Sequence, residues 1–201
     1  GYISERKIES GDVETALKNA PFTLQGRTVT TGQEHFYLEG QRCLAVPFEG
    51  NRITLHTATQ STMEVQEVAS RVLGIPANDV IIEVPRLGGA FGGKERGATI
   101  WACMAALAAF LTKRPVLVKL TRAEDMHYTG KRHPFTSLWQ VGYEENGKIL
   151  AYDLLLLANG GAYTDLSIAI LERAMFHSEN AYFIPDIRIR GYACKTNLPP
   201  N

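Results

Sequence analysis

The stretch GGAFGGKE at residues 88–95 restricts the fold most, because it places four glycines between two segments of different character. A run rich in β-branched residues over 80–84 precedes it and predicts a buried strand. An apolar segment over 96–112 follows it and predicts a helix. The sequence therefore predicts a strand, a glycine loop and a helix in direct succession. Glycines in such a loop allow positive φ angles and a close approach of the backbone to a neighbour.

Three interpretations of this loop remain open from the residues alone. Seven of its eight positions fit the phosphate-binding pattern G-x-x-x-x-G-K-[ST], but Glu95 occupies the position of the magnesium-binding hydroxyl. A carboxylate there would repel phosphates, which disfavours an ATP or GTP site. The loop could instead be a tight connection without a ligand. Alternatively, its backbone could approach a flat or extended cofactor, with Phe91 exposed and Glu95 pointing into a pocket.

The remaining sequence predicts an α+β fold, with a mixed β-sheet and two or three packed helices. Ser61 and Glu64 have the spacing of a capping box, and Gly74 supplies the stop of the helix that follows. We predict a hairpin around Glu145-Asn146-Gly147. Other predicted strands cover 43–46, 53–59 and 116–120, and other predicted helices cover 12–19 and 165–177.

Composition argues against two classes of partner. Lys plus Arg and Asp plus Glu both total 21, so the formal net charge is zero and nothing favours nucleic acid or an anionic membrane. The longest apolar run, 98–111, falls short of the roughly 20 residues that span a bilayer. No secretory leader is visible at the N-terminus. We treat residues 30–201 as one unit and residues 1–29 as a connector or N-terminal extension.

Cysteine and histidine spacing argues against a metal held directly by these side chains. The three cysteines lie far apart, and Cys103 lies in an apolar run typical of a buried, inert thiol. Neither C-x-x-C nor H-x-x-x-H spacing occurs.

Six blocks of sequence, taken in order, carry a resemblance to a known family. They are GQEHFYLEG, TATQSTMEVQ, RLGGAFGGKE, GKRHPF, LERAMFH and CKTNLPPN. The chain resembles the molybdenum-cofactor domain of the xanthine dehydrogenase family of molybdenum hydroxylases over nearly its whole length. The resemblance implies that residues 30–201 are the first part of this domain, truncated at the C-terminus. It also implies that a pterin dithiolene holds the molybdenum, which agrees with the missing ligand spacing.

The resemblance assigns cofactor contacts to three residues. It implies that Gln60 hydrogen-bonds an oxygen on the molybdenum, and that Phe91 and Gly92 bring backbone N–H groups to the metal centre and pterin. Without the family, Gln60 could be a turn residue in solvent. Phe91 could equally be a core aromatic.

The resemblance assigns substrate contacts to Glu95 and Arg173, the combination found in purine-specific members. A carboxylate can accept from purine N–H groups, and a guanidinium can stabilise negative charge on the ring. In the alternative interpretation, Arg173 forms a structural ion pair with Glu172. We interpret Lys94 as a solvated or structural cation.

The resemblance also implies what the parent protein does. It would hydroxylate purines with water as the oxygen source and pass electrons to 2Fe-2S and FAD centres on other domains or subunits, in a cytoplasmic, commonly dimeric assembly. The general base would lie beyond Asn201, so no catalytic residue is predicted within this chain and the isolated piece should be inactive. Two alternatives remain: a molybdenum hydroxylase for aldehydes or another N-heterocycle, and a non-redox nucleotide-binding module.

Overall fold

The computed structural model describes residues 1–198, and the chain divides into two compact units. The central unit comprises Glu34–Lys131. The terminal unit combines Gly1–Gln33 with the residues from Arg132 onward. The central unit is thus inserted in the sequence between two parts of the terminal unit.

The central unit has a four-stranded sheet in the order β5-β4-β3-β6. Its strands are β3 (Arg42–Pro47), β4 (Ile53–Thr57), β5 (Val80–Glu83) and β6 (Val116–Lys119), and its α-helices are α2 (Thr62–Leu73), α3 (Thr99–Thr112) and α4 (Arg122–Tyr128). Strands β4 and β5 are parallel, and the other pairs are antiparallel.

The core of the central unit lies between one face of this sheet and helices α2 and α3. Alternate strand residues such as Cys43, Ala45 and Leu55 are fully buried in it. Helix α3 contributes alanines at helical spacing, Ala102, Ala105, Ala106 and Ala109, all fully buried. Their small side chains explain how an almost wholly apolar helix packs closely on its neighbours.

The terminal unit has a five-stranded mixed sheet in the order β1-β9-β8-β7-β2. Its strands are β1 (Tyr2–Ser10), β2 (Phe22–Thr30), β7 (Phe135–Tyr143), β8 (Ile149–Asn159) and β9 (Asp186–Cys194), and its helices are α1 (Val13–Asn19) and α5 (Ser167–Phe176). The pair β8 and β9 is parallel, and the other pairs are antiparallel. The predicted hairpin is therefore present as β7 and β8.

The α+β prediction is confirmed, with differences in the number and membership of the elements. The described residues form two sheets and five α-helices, not one sheet and two or three helices. Residues 1–29, predicted as a connector or N-terminal extension, supply β1, α1 and all but the last residue of the edge strand β2. Most residues of β1 and β2 are exposed, so their sequence lacks the apolar alternation that identifies a half-buried strand.

The capping box predicted for α2 is absent. Ser61 occupies the N-cap position without a side-chain cap bond, and Glu64 instead lies 3.8 Å from Arg96. A complete capping box occurs at α4, where Thr121 and Glu124 exchange hydrogen bonds. The S-x-x-E spacing predicted the helix start correctly, but the Glu64 carboxylate lies near Arg96 instead of completing a capping box.

None of the helices that the described part of the chain forms has the length and apolar character to cross a membrane.

Candidate functional site

The glycine loop joins β5 to α3 and has left-handed backbone at several positions. Phe91 has φ of 53° and Gly92 has φ of 95°. A left-handed conformation costs an ordinary residue roughly 1–2 kcal/mol, so the fold must hold Phe91 there. The Phe91 side chain is 74% exposed, which excludes a core role within the central unit. A Cβ at Gly93 would lie 2.8 Å from the His35 ring, so this glycine permits close packing beneath the loop.

Gln60 lies directly against this loop. Its side-chain Oε1 accepts from the N–H groups of Gly92 at 3.1 Å and Lys94 at 3.2 Å. Its backbone N–H donates to the Lys94 carbonyl at 2.9 Å. Two backbone donors on Oε1 fix the amide orientation, so the Nε2 group faces away from these bonds as a donor. Gln60 is exposed, and no residue among 1–198 accepts from Nε2.

The backbone donors of the loop are divided between the protein and its surroundings. The Gly92 N–H donates to Gln60, so it does not point freely outward in this structure. The Phe91 N–H has no hydrogen-bond partner within residues 1–198. Together with Gln60 Nε2, it gives the loop two kinds of available donor on one exposed segment.

Lys94 is completely buried and therefore structural, which corrects the alternative of a solvated cation. Its Nζ donates to the Glu39 backbone carbonyl at 2.6 Å and lies 3.5 Å from Glu39 Oε2. It also lies 4.5 Å from the centroid of the Tyr37 ring. Burial lowers the pKa of Lys94, and the Glu39 carboxylate opposes that shift.

Tyr37 and Asp125 form a second buried network, which contacts the loop through Gln41. The Tyr37 hydroxyl donates to Asp125 Oδ1 at 2.7 Å, and the Gln41 backbone N–H donates to Oδ2 at 2.5 Å. Gln41 Nε2 donates to the Gly93 carbonyl at 3.1 Å. Burial and the Asp125 carboxylate raise the pKa of Tyr37, so the phenol stays protonated and acts as a donor.

The two predicted substrate residues are exposed and lie in different units. Glu95 follows the glycine loop in the central unit, and Arg173 lies in α5 of the terminal unit. Neither side chain has a hydrogen-bond or ion-pair partner within the described residues 1–198. Glu172 binds Arg6 at 2.7 Å, so it does not pair with Arg173. The structure thus brings Gln60, Phe91, Gly92 and Glu95 together, while Arg173 belongs to the other unit.

The supporting residues Glu39, Gln41 and Asp125 were not predicted from the sequence. Two of them lie in or beside the block GQEHFYLEG, where polar residues flank the pair Phe36-Tyr37. That pattern could have indicated buried polar groups, but their partners are distant in sequence.

A cavity of about 360 Å³ is lined in part by Glu39 and by Gly88 of the glycine loop. Its lining also includes the cations Arg42, Arg86 and Lys119, whereas neither Gln60 nor Phe91 lines it. Among residues 1–198, no group of three or more His, Cys, Asp or Glu side chains is arranged to hold a metal ion.

The described residues form a chain of the α+β class with an exposed, glycine-rich loop. Residues 2–201 match the family model described as "Molybdopterin cofactor-binding domain". The chain belongs to this family, which confirms the resemblance stated from the six sequence blocks.

Relatives with curated descriptions include both purine and aldehyde enzymes. Over 201 residues the chain is 46% identical to "Xanthine dehydrogenase/oxidase" of Rattus norvegicus, covering 100% of this chain and 15% of the relative. It is 44% identical to "Aldehyde oxidase 1" of Cavia porcellus, again covering 100% of this chain and 15% of the relative. The chain thus spans about 15% of the length of these relatives.

Solved structures share the fold at low sequence identity. The aldehyde oxidoreductase from Desulfovibrio gigas has a TM-score of 0.90 at 23% identity, covering 100% of this chain and 22% of that one. The quinoline 2-oxidoreductase from Pseudomonas putida 86 has a TM-score of 0.88 at 19% identity, covering 99% of this chain and 26% of that one. These likenesses concern the fold alone.

Proposed function

We propose that this chain is part of the molybdenum-binding domain of a xanthine dehydrogenase, which hydroxylates purines such as hypoxanthine and xanthine with water as the oxygen source. The observation that carries the proposal is the fixed amide of Gln60 beside the exposed loop of Phe91 and Glu95. It combines hydrogen-bond donors with a free carboxylate on one rigid support. Such a combination suits a cofactor rich in acceptor atoms next to a nitrogen heterocycle.

The donors of the loop fit a molybdenum–molybdopterin group. Gln60 Nε2 and the Phe91 N–H have no partner among the described residues, and both could donate to the oxygen or sulfur atoms of that group. When bound, the group supplies the two-electron oxidation and the transfer of an oxygen atom derived from water. The Gly92 N–H would donate to the side-chain oxygen Oε1 of Gln60 and so keep the Nε2 donor of Gln60 directed toward the cofactor.

Glu95 and Arg173 would select the substrate. A purine presents both N–H donors and carbonyl acceptors, so Glu95 could accept from the first and Arg173 could donate to the second. Arg173 would also stabilise negative charge that develops on the heterocycle during hydroxylation. Both side chains are exposed and have no partner among the described residues, so both are available to a ligand.

A second candidate is a molybdenum hydroxylase for aldehydes or another N-heterocycle. The similar identities to the rat purine enzyme and the guinea pig aldehyde oxidase favour keeping it. Aldehydes lack the ring N–H groups that Glu95 would recognise. The two candidates therefore differ in their dependence on Glu95 and Arg173.

The parent protein would contain the remainder of the molybdenum domain, with its general base beyond Asn201, and 2Fe-2S and FAD domains or subunits. We propose a cytoplasmic, dimeric assembly for purine catabolism. The 201-residue chain alone would bind no molybdenum cofactor and would not turn over substrate.

The test uses the intact parent protein. It measures the molybdenum content and the rates at which xanthine and an aldehyde reduce the protein under anaerobic conditions. Glu95→Ala and Arg173→Ala should each slow reduction by xanthine at least 100-fold, change reduction by the aldehyde less than 10-fold, and retain molybdenum. Glu67→Ala and Arg71→Ala are controls, because they remove an exposed ion pair on α2. Equal losses with both substrates would contradict purine selectivity.

A further inference from the structure

We propose that Glu39 is a positioning residue. It contacts both ends of the glycine loop and thereby fixes the orientation of Gln60, Phe91 and Glu95. This inference rests on the proposed function, because it concerns how the loop meets cofactor and substrate. Glu39 itself touches neither of the residues predicted to bind substrate. Its effect would pass through Gly88 and Lys94.

Glu39 contacts the entrance of the loop through two reciprocal hydrogen bonds. Its backbone N–H donates to the Gly88 carbonyl at 3.0 Å, and its Oε2 accepts from the Gly88 N–H at 2.9 Å. A Cβ at Gly88 would lie 2.6 Å from the Glu39 Cβ, so only glycine allows this approach. The carboxylate therefore fixes the point at which the chain enters the loop.

The same residue also contacts the exit of the loop. Lys94 Nζ donates to the Glu39 carbonyl and faces Oε2 at 3.5 Å. Because Lys94 is fully buried, its ammonium depends on a nearby counter-charge, and Glu39 is only 13% exposed. The other carboxylate oxygen binds Arg42, which is half exposed and is not part of the loop.

Lys94 transmits this anchoring to the candidate site. Its backbone N–H and carbonyl bind the side chain and the backbone of Gln60, respectively. The Thr59 hydroxyl donates to the same carbonyl at 3.2 Å. Displacing the Lys94 side chain would thus shift the peptide that orients the Gln60 amide. A network of this kind fixes the orientation of a functional group through residues that do not contact the ligand themselves.

Amide hydrogen exchange in the intact parent protein tests the positioning without relying on activity. Glu39→Ala should accelerate exchange of loop residues 88–95 at least 10-fold, with less than a twofold change in α3. Glu39→Gln keeps an acceptor for Gly88 but removes the charge opposite Lys94, so it should give a smaller increase. This variant provides the test if the alanine variant does not fold. Arg42→Ala removes an ion pair of the same carboxylate without a loop contact, and it should change loop exchange less than twofold.

Unchanged loop exchange in both Glu39 variants, or an equal rise throughout the central unit, would overturn the proposal. In a parent that contains molybdenum, Glu39→Gln should also slow reduction of the enzyme by substrate at least 10-fold, while Arg42→Ala should slow it less than twofold. A mobile loop with unchanged reduction rates would refute the link to the site. If the parent contains no molybdenum, the proposed function fails, and the exchange result still decides whether Glu39 holds the loop.

Discussion

Replacing Tyr37 by Phe removes two buried hydrogen bonds of the network below the glycine loop, because the phenol oxygen also accepts from Gln41 Nε2 at 3.2 Å. The change removes the hydroxyl that donates to Asp125 Oδ1 at 2.7 Å, but it retains the ring that faces Lys94. Asp125 is fully buried, so water does not replace the lost donor, and the Thr129 hydroxyl at 3.4 Å is a weak substitute. A hydrogen bond to a charged group contributes about 1.5–3 kcal/mol. We therefore expect the local free energy of opening to fall by about 2 kcal/mol.

That free-energy change corresponds to roughly 30-fold faster amide exchange, since about 1.4 kcal/mol is a factor of ten. The assay is native-state hydrogen exchange of the intact parent, measured on peptides containing Gln41 and the glycine loop. Tyr128→Phe is the matched control, because that tyrosine is exposed in the same unit and its hydroxyl has no partner among residues 1–198. Less than a threefold change for Tyr37→Phe would show that Asp125 does not anchor this region through the phenol.

Two other perturbations test the loop and the terminal unit. Gly92→Ala introduces a side chain at φ of 95°, which should destabilise the loop by at least about 1 kcal/mol and reduce the molybdenum content of the parent. Metal analysis beside a control alanine at Glu67 measures this effect, and full occupancy would count against it. Burial lowers the pKa of His133, so the neutral ring stabilises the fold above the ordinary histidine pKa of about 6.5, and this contribution is lost as pH falls below it. Thermal unfolding of His133→Gln between pH 7.5 and about pH 5 should therefore show a weaker pH dependence than the wild type; an unchanged slope would exclude His133 as its source.

Local sequence patterns predicted the elements that have a clear apolar periodicity or a strong turn signal. Helix α5 and the hairpin of β7 and β8 follow the predicted segments closely. Strands β1 and β2 could not be recognised in the same way, because a sheet edge leaves most of their side chains exposed. Their pairing depends on partners far away in the sequence.

The candidate site likewise contains residues that the sequence indicated and residues that it did not. The resemblance indicated Gln60, Phe91, Gly92 and Glu95, and the structure gathers these four in the central unit. Their roles stay predictions. No local pattern identified Glu39 as the partner of Lys94, since the two lie 55 positions apart and their interaction depends on tertiary packing.

The insertion of the central unit has a consequence for how the chain folds during synthesis. Residues Glu34–Lys131 are contiguous, so this unit can form its sheet as soon as β6 has left the ribosome. The terminal unit must wait for β9, whose Tyr192 bonds Glu5 across 187 positions. Closing so long a loop is slow, and β1 remains unpaired until then. We expect the glycine loop and Gln60 to be assembled while the strand that will complete the other unit is still being translated.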